Sequence, residues 1–159
     1  MKVMKSAFFT GHRNVTNIES QVNQLIQLAK QQGVEHFYCG MALGTDSIAA
    51  RMLTAQNIPW TAVIPFIGQE SRWSESQKKE YTKLLLHTHH QIILYAEYTA
   101  SSYHERNQIM IESSEICLAV YDGRNNGGTK TVVEKCEKLQ KPMFIYNPKT
   151  NKIIKRLKA

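Results

Sequence analysis

Short apolar runs rich in β-branched and aromatic residues alternate along this chain with longer segments carrying apolar residues at helical spacing. Six runs are predicted strands: Met4–Thr10, His36–Cys39, Trp60–Ile64, Gln91–Tyr95, Ile116–Tyr121 and Met143–Tyr146. Helices are predicted between them over Asn17–Gln32, Thr45–Gln56, Ser74–His87, Glu105–Ser114 and Thr131–Gln140. In Asn17–Gln32 the residues Ile18, Val22, Leu25, Ile26 and Ala29 share one face, and Gly33 terminates the pattern. Ser74 and Gln77 have the spacing of a capping box. Pro59 and Pro142 open the third and sixth strands, where a missing N–H is tolerated. Apolar strands alternating with helices imply an α/β fold, a mostly parallel sheet covered by helices on both faces. The segment from about residue 147 either adds a short basic strand or frays.

A length of 159 residues suits one domain with a two-sided core. Cys39, Cys117 and Cys136 are odd in number and lack CxxC spacing. They read as reduced thiols of a cytoplasmic protein, with no disulfide or zinc framework. No apolar run approaches 18 residues, and Gly11-His12-Arg13 interrupts the N-terminal one, so neither a membrane span nor a signal peptide is expected. The net charge of +7 is unevenly placed. Residues 1–128 carry eleven basic and eleven acidic residues, whereas residues 129–159 carry nine against Glu134 and Glu137. A nucleic-acid-binding domain spreads its basic residues over a docking face, so this pattern favours solvated lysines on a late helix and tail.

Ligands of such sheets bind beyond the carboxyl ends of the strands. Seven of the eight glycines fall in segments that follow a strand: Gly11, Gly40, Gly44, Gly68, Gly123, Gly127 and Gly128. Gly127-Gly128-Thr129 lies between the fifth strand and its helix, where backbone N–H groups can face a phosphate. Thr10-Gly11-His12-Arg13 offers a hydroxyl and two potentially cationic groups at the end of the first strand. Gly40-Met41-Ala42-Leu43-Gly44-Thr45-Asp46 offers two flexible points, then a hydroxyl and a carboxylate that either cap the helix or orient a ribose. Arg106 is a natural bidentate partner for phosphate or carboxylate. Phe66 and Trp73 are candidates to stack on a base whose edge Gln69 reads, or equally to pack against the domain. His87, His89 and His90 have no acidic or cysteine neighbours to complete a metal set, so no metal is expected.

Taken together, Thr10-Gly11-His12-Arg13, Gly40 through Asp46, Ile64-Pro65-Phe66 with Gln69 and Trp73, Arg106-Asn107, and Ala119 through Gly123 with Gly127-Gly128-Thr129 resemble the SLOG superfamily. This is the SMF/DprA and LOG group, and the match is nearest its small YpsA-like branch. The resemblance implies a Rossmann-like three-layer sandwich of strand order 3-2-1-4-5, here with a sixth strand. It also implies a nucleoside monophosphate, NAD or ADP-ribose type ligand at the glycine-rich edge, no required cofactor, and homodimers. The ligand contacts it implies are Thr10, Gly11, His12, Arg13, Gly40, Met41, Gly44, Thr45, Asp46, Gln69, Trp73, Arg106, Asn107, Asp122, Gly127, Gly128 and Thr129.

Three functions follow from the resemblance. The first is a sensor or regulator that binds a nucleotide derivative. The second is a LOG-like phosphoribohydrolase, in which Arg106 and Glu134 would occupy the catalytic arginine and glutamate positions. Here His104-Glu105-Arg106-Asn107 has asparagine in place of the family lysine, Asn126 replaces a proline, and Lys130 replaces a third glycine. The third is DprA-like binding of single-stranded DNA, which the neutral first 128 residues disfavour.

Overall fold

Seven strands form one sheet of order β4-β3-β2-β1-β5-β6-β7 in the computed structural model, which describes residues 5–157. In chain order the elements are β1 (Ser6–Gly11), α1 (Glu19–Gln31), β2 (His36–Cys39), α2 (Thr45–Ala55), β3 (Trp60–Phe66) and α3 (Glu75–Leu85). They continue as β4 (His90–Tyr95), α4 (Ser102–Ser113), β5 (Ile116–Val120), α5 (Gly128–Lys138), β6 (Met143–Asn147) and β7 (Lys152–Arg156). Met4, expected in the first strand, and Lys158, expected in the basic tail, lie outside the described residues. All strand pairs are parallel except β6 with β7, where Met143 pairs Arg156 and Asn147 pairs Lys152.

The three layers follow from side-chain alternation in β1. Ala7 and Phe9 join Val22, Leu25, Ile26, Ile48 and Leu53 of α1 and α2, with Tyr81 and Leu84 of α3, on one face. Phe8 points to the other face and joins Met110 and Ile111 of α4 with Val132, Val133 and Cys136 of α5. Phe9 and Phe37 stack across β1 and β2 with centroids 6.0 Å apart. Cys39, Cys117 and Cys136 are all free and buried.

The α/β class and the three layers match expectation, but the strand order differs. The fourth strand was expected beside the first; instead β4 extends the sheet beyond β3, and β5 pairs with β1. Burial accounts for the exchange. The Ile116–Val120 run is apolar throughout and wholly buried, whereas β4 opens with His90 and Gln91 and leaves Ile92 and Ile93 exposed. The chain therefore steps outward from β1 to β4 along one side, then crosses back through α4, so the topological switch lies between β1 and β5.

Two helices begin earlier than their apolar spacing indicates. α4 starts at Ser102, not Glu105, and α5 at Gly128, not Thr131. The capping box at α3 is present: Ser74 Oγ accepts the Gln77 N–H at 3.2 Å, and Gln77 Oε1 accepts the Ser74 N–H at 3.0 Å. The segment after Asn147 forms β7, exposing Lys152, Lys155 and Arg156, with Arg156 paired to Glu137 at 2.9 Å.

Phe37, fully buried between two strands, should cost about 3–5 kcal/mol when replaced by alanine. Leu86→Ala, at a side chain 79% exposed, should stay within about 0.5 kcal/mol of the parent. Urea unfolding of the two variants checks the contrast.

Candidate functional site

The end of β1 and the start of α2 are locked to one another before any ligand is considered. Thr45 donates both its N–H and its hydroxyl to the His12 carbonyl, at 3.2 and 3.0 Å. Gly44 caps α2 with φ of 74°, and an added Cβ would strike the Arg13 carbonyl oxygen. Only glycine fits this crossing. Met41 is buried in the core rather than turned to the strand ends.

Arg106 lies across this lock. Its Nη1 donates to the Gly40 carbonyl at 2.6 Å, and its Nε to Asn107 Oδ1 at 2.7 Å. A Cβ at Gly40 would overlap the guanidinium, so glycine there makes room for the arginine. The side chain is buried, and burial pulls its pKa down while the nearby Asp46 carboxylate opposes that shift. Asp46 is itself buried, which raises its carboxyl pKa against the pull of Arg106, and its Oδ2 accepts the Ala42 N–H at 3.1 Å. The Tyr103 ring carries the guanidinium carbons of Arg13 and Arg106 at 5.4 and 5.8 Å from its centroid.

A second cluster closes the β5 side. His12 Nε2 accepts the Asp122 N–H at 3.0 Å and lies 3.1 Å from Asp122 Oδ1. A proton on Nε2 would gain the carboxylate and lose that N–H. The Asp122 N–H needs a lone pair on Nε2, and burial, the largest influence, lowers the His12 pKa in the same direction. Asp122 pairs instead with Arg124, at 2.7 Å to Nη2 and 3.0 Å to Nε, which holds its carboxyl far below the usual range. The anchored turn leads to Gly127, which begins α5 with φ of 101° and no side-chain cap.

These elements enclose a cavity of about 430 Å³. Of the expected contacts it is lined by Thr10, Gly11, His12, Arg13, Asp46, Arg106, Asn107, Gly127, Gly128 and Thr129. Gly40, Met41, Gly44, Thr45 and Asp122 stand behind it as supports rather than lining it. Gln69 and Trp73 line a neighbouring cavity, and Gln69 Nε2 is turned inward to Gly40 O and Tyr81 Oη at 3.3 and 3.2 Å. Glu134 is not brought to the cavity: it is 53% exposed and paired with Lys130 at 2.8 Å, one helical turn away. Among the described residues Asp46 is the carboxylate that lines the cavity, and no cluster of three or more His, Cys, Asp or Glu could hold a metal ion. No described helix is long and apolar enough to cross a membrane.

Tyr103, Arg124, Asn14 and Asn126 also line the cavity, and none of them is among the expected contacts. Tyr103 was obscured by the late helix start: with α4 beginning at Ser102, Tyr103 and Arg106 are three residues apart and share a face.

The YpsA family model, described as the YspA SLOG family, matches residues 5–151. The chain belongs to the SLOG family. A UPF0398 protein of Halalkalibacterium halodurans is 26% identical over 148 residues, covering 84% of this chain and 74% of that protein. Among solved structures, DNA processing protein A of Streptococcus pneumoniae superposes with a TM-score of 0.66 at 15% identity, over 89% of this chain and 50% of that one. The Helicobacter pylori DNA processing protein A, described for its single-stranded DNA binding mode, gives 0.61 at 21% identity, over 90% and 65%. This SLOG chain thus spans half the length of the first of these structures, and the likeness to both shows shared fold.

The glycines of this SLOG domain fall into two groups that substitution should separate. Gly40→Ala should lose about 1–3 kcal/mol by overpacking against Arg106. At Gly128 a Cβ meets open space and φ is unremarkable, so Gly128→Ala should leave stability unchanged or raise it by up to about 1 kcal/mol. Thermal unfolding of both variants reads the difference.

The neutral His12 makes stability depend on pH. Because its folded pKa lies below the unfolded value near 6.5, the unfolded chain binds the proton first, and stability falls as pH drops through that value. His36, lowered by burial and by His89 and His90, adds a share in the same direction. His12→Gln keeps an acceptor for the Asp122 N–H and cannot titrate. Urea midpoints measured from pH 7.5 to 5.5 should fall less steeply in this variant than in the parent.

Proposed function

We propose that this protein binds a nucleotide-derived ligand through its phosphate, as a sensor or regulator, in the cavity between β1 and β5. The observation that carries this is the convergence of the uncapped α5 N-terminus and the buried Arg106 guanidinium on one cavity. The free N–H groups of the first helical turn and a preformed planar cation are complementary to a phosphate. Arg13 adds positive charge among the lining residues, and Thr129 adds a hydroxyl. The open space at Gly128 fits the same view, since the fold does not need a glycine there but a close-approaching anion does. Three free, buried thiols suit a reducing cytoplasm.

Hydrolysis of an N-glycosidic bond is the weaker reading, because Glu134 faces Lys130 and solvent and the cavity carboxylate, Asp46, is held by Ala42 and faces Arg106. Single-stranded DNA binding draws support from the likeness to a DNA processing protein described in those terms. Against it, the excess basic charge follows residue 128 and lies on α5, β7 and the segment joining them.

Calorimetry with AMP should show saturable binding that Arg106→Gln weakens at least tenfold, the loss of about one charge-assisted hydrogen bond. Because Arg106 also supports the fold, Gly128→Ala provides the second test, and it should weaken AMP binding while unfolding at or above the parent temperature. Incubation with AMP should release no adenine; release abolished by Glu134→Ala would move the protein to the hydrolases. An oligonucleotide bound far more tightly than AMP at physiological salt would promote the DNA reading instead.

A further inference from the structure

Beside the phosphate cavity lies a second one of about 630 Å³. Its walls include four aromatic side chains, Phe66, Trp73, Tyr98 and Tyr103, and two arginines, Arg13 and Arg72. The two cavities share Arg13 and Tyr103. We propose that the second cavity is the ring-binding subsite of the ligand whose phosphate occupies the first, and that it takes a neutral heteroaromatic base, the ribose crossing at Arg13 and Tyr103. This inference rests on the phosphate reading above and adds where, and by what chemistry, the other end of the ligand is held.

The rings are held in place. Phe66 meets Tyr98 and Tyr103 edge-on, at centroid distances of 5.3 and 5.6 Å and interplanar angles of 85° and 86°. Trp73 is braced edge-on by Tyr81 at 5.3 Å. Tyr81 in turn accepts a hydrogen bond from Gln69, whose amide nitrogen also donates to Gly40 O, the carbonyl that receives Arg106. One edge-on ring contact followed by hydrogen bonds therefore links Trp73 of the aromatic wall to the buried cation of the phosphate cavity. Fixed aromatic side chains offer a stacking or edge contact to a planar ring, an interaction that every nucleobase can make.

Charge narrows the class of ring. Aromatic cages for cationic groups work by surrounding them with π faces. Here two guanidiniums line the cavity and, among the described residues, no carboxylate does; Glu70 lies between Gln69 and Ser71 in sequence without lining it. A cationic ring would meet Arg13 and Arg72 unopposed. A neutral base with ring nitrogens or carbonyls gives those arginines acceptors.

Titration calorimetry of the full chain with ribose 5-phosphate and with AMP, GMP, CMP and UMP separates the two halves of the site. At least one nucleoside monophosphate should bind tenfold or more tighter than ribose 5-phosphate. Tyr98→Ala and Trp73→Ala should each reduce that ratio several-fold, and Tyr98→Ala should leave ribose 5-phosphate binding as it was. Tyr98 is 62% exposed, so its substitution tests the subsite even where loss of Trp73 disturbs the packing against Tyr81. Equal binding of ribose 5-phosphate and all four monophosphates, or a ratio untouched by both substitutions, overturns the ring subsite and leaves the phosphate reading standing. Failure of ribose 5-phosphate and all four monophosphates to bind overturns both.

Discussion

The placement of one guanidinium organises this molecule. Arg106 comes from α4 on one face of the sheet and donates to the carbonyl of Gly40, which follows β2. A buried cation is costly unless its donors find acceptors and its charge finds an opposite one nearby. Gly40 O, Asn107 Oδ1 and the field of Asp46 meet those needs. Gly40 lies in the segment after β2 and Asp46 on α2, so holding the arginine also fixes those two parts relative to α4. Asp46 reaches back to the Ala42 N–H, and Thr45 reaches across to the His12 carbonyl. The geometry of the cavity is thus a by-product of solvating a charge inside the protein.

His12 and Arg124 show a division of labour that residue type alone conceals. Both can be cations, and both lie near Asp122. Burial settles the matter for the histidine, which accepts a backbone N–H, while the half-exposed arginine takes the carboxylate in a bidentate pair. The positive charge facing the cavity therefore comes from arginines. Arginine keeps its charge across the physiological range.

Much of the fold was legible because apolar periodicity is local. The Ile116–Val120 run and the Val22, Leu25, Ile26, Ala29 stripe announce their elements without reference to the rest of the chain. Strand order is not local. It depended on which of two apolar runs would be covered on both sides, and His90 and Gln91 at the head of β4 were the signal that it belongs at an edge. The same holds for the site. Glycines and charged residues at strand ends pointed to the correct edge of the sheet, but sequence could not separate glycines crowded by Arg106 or Arg13 from one facing open space. Nor could helical spacing alone place Glu134, which pairs with Lys130 on the exposed side of α5.

The two edges of the sheet carry opposite instructions to a neighbouring backbone. Along β7, Lys152, Lys155 and Arg156 leave few positions where another strand could dock without confining a positive charge. From Gln91 to Tyr95 on β4 there is no formal charge at all, and Ile92 and Ile93 stand exposed on alternate faces. Lysine-rich edges discourage pairing, and uncharged ones permit it. The sheet is finished on one side and open-ended on the other, so any lengthening of it, by an added segment or another chain, has a built-in direction.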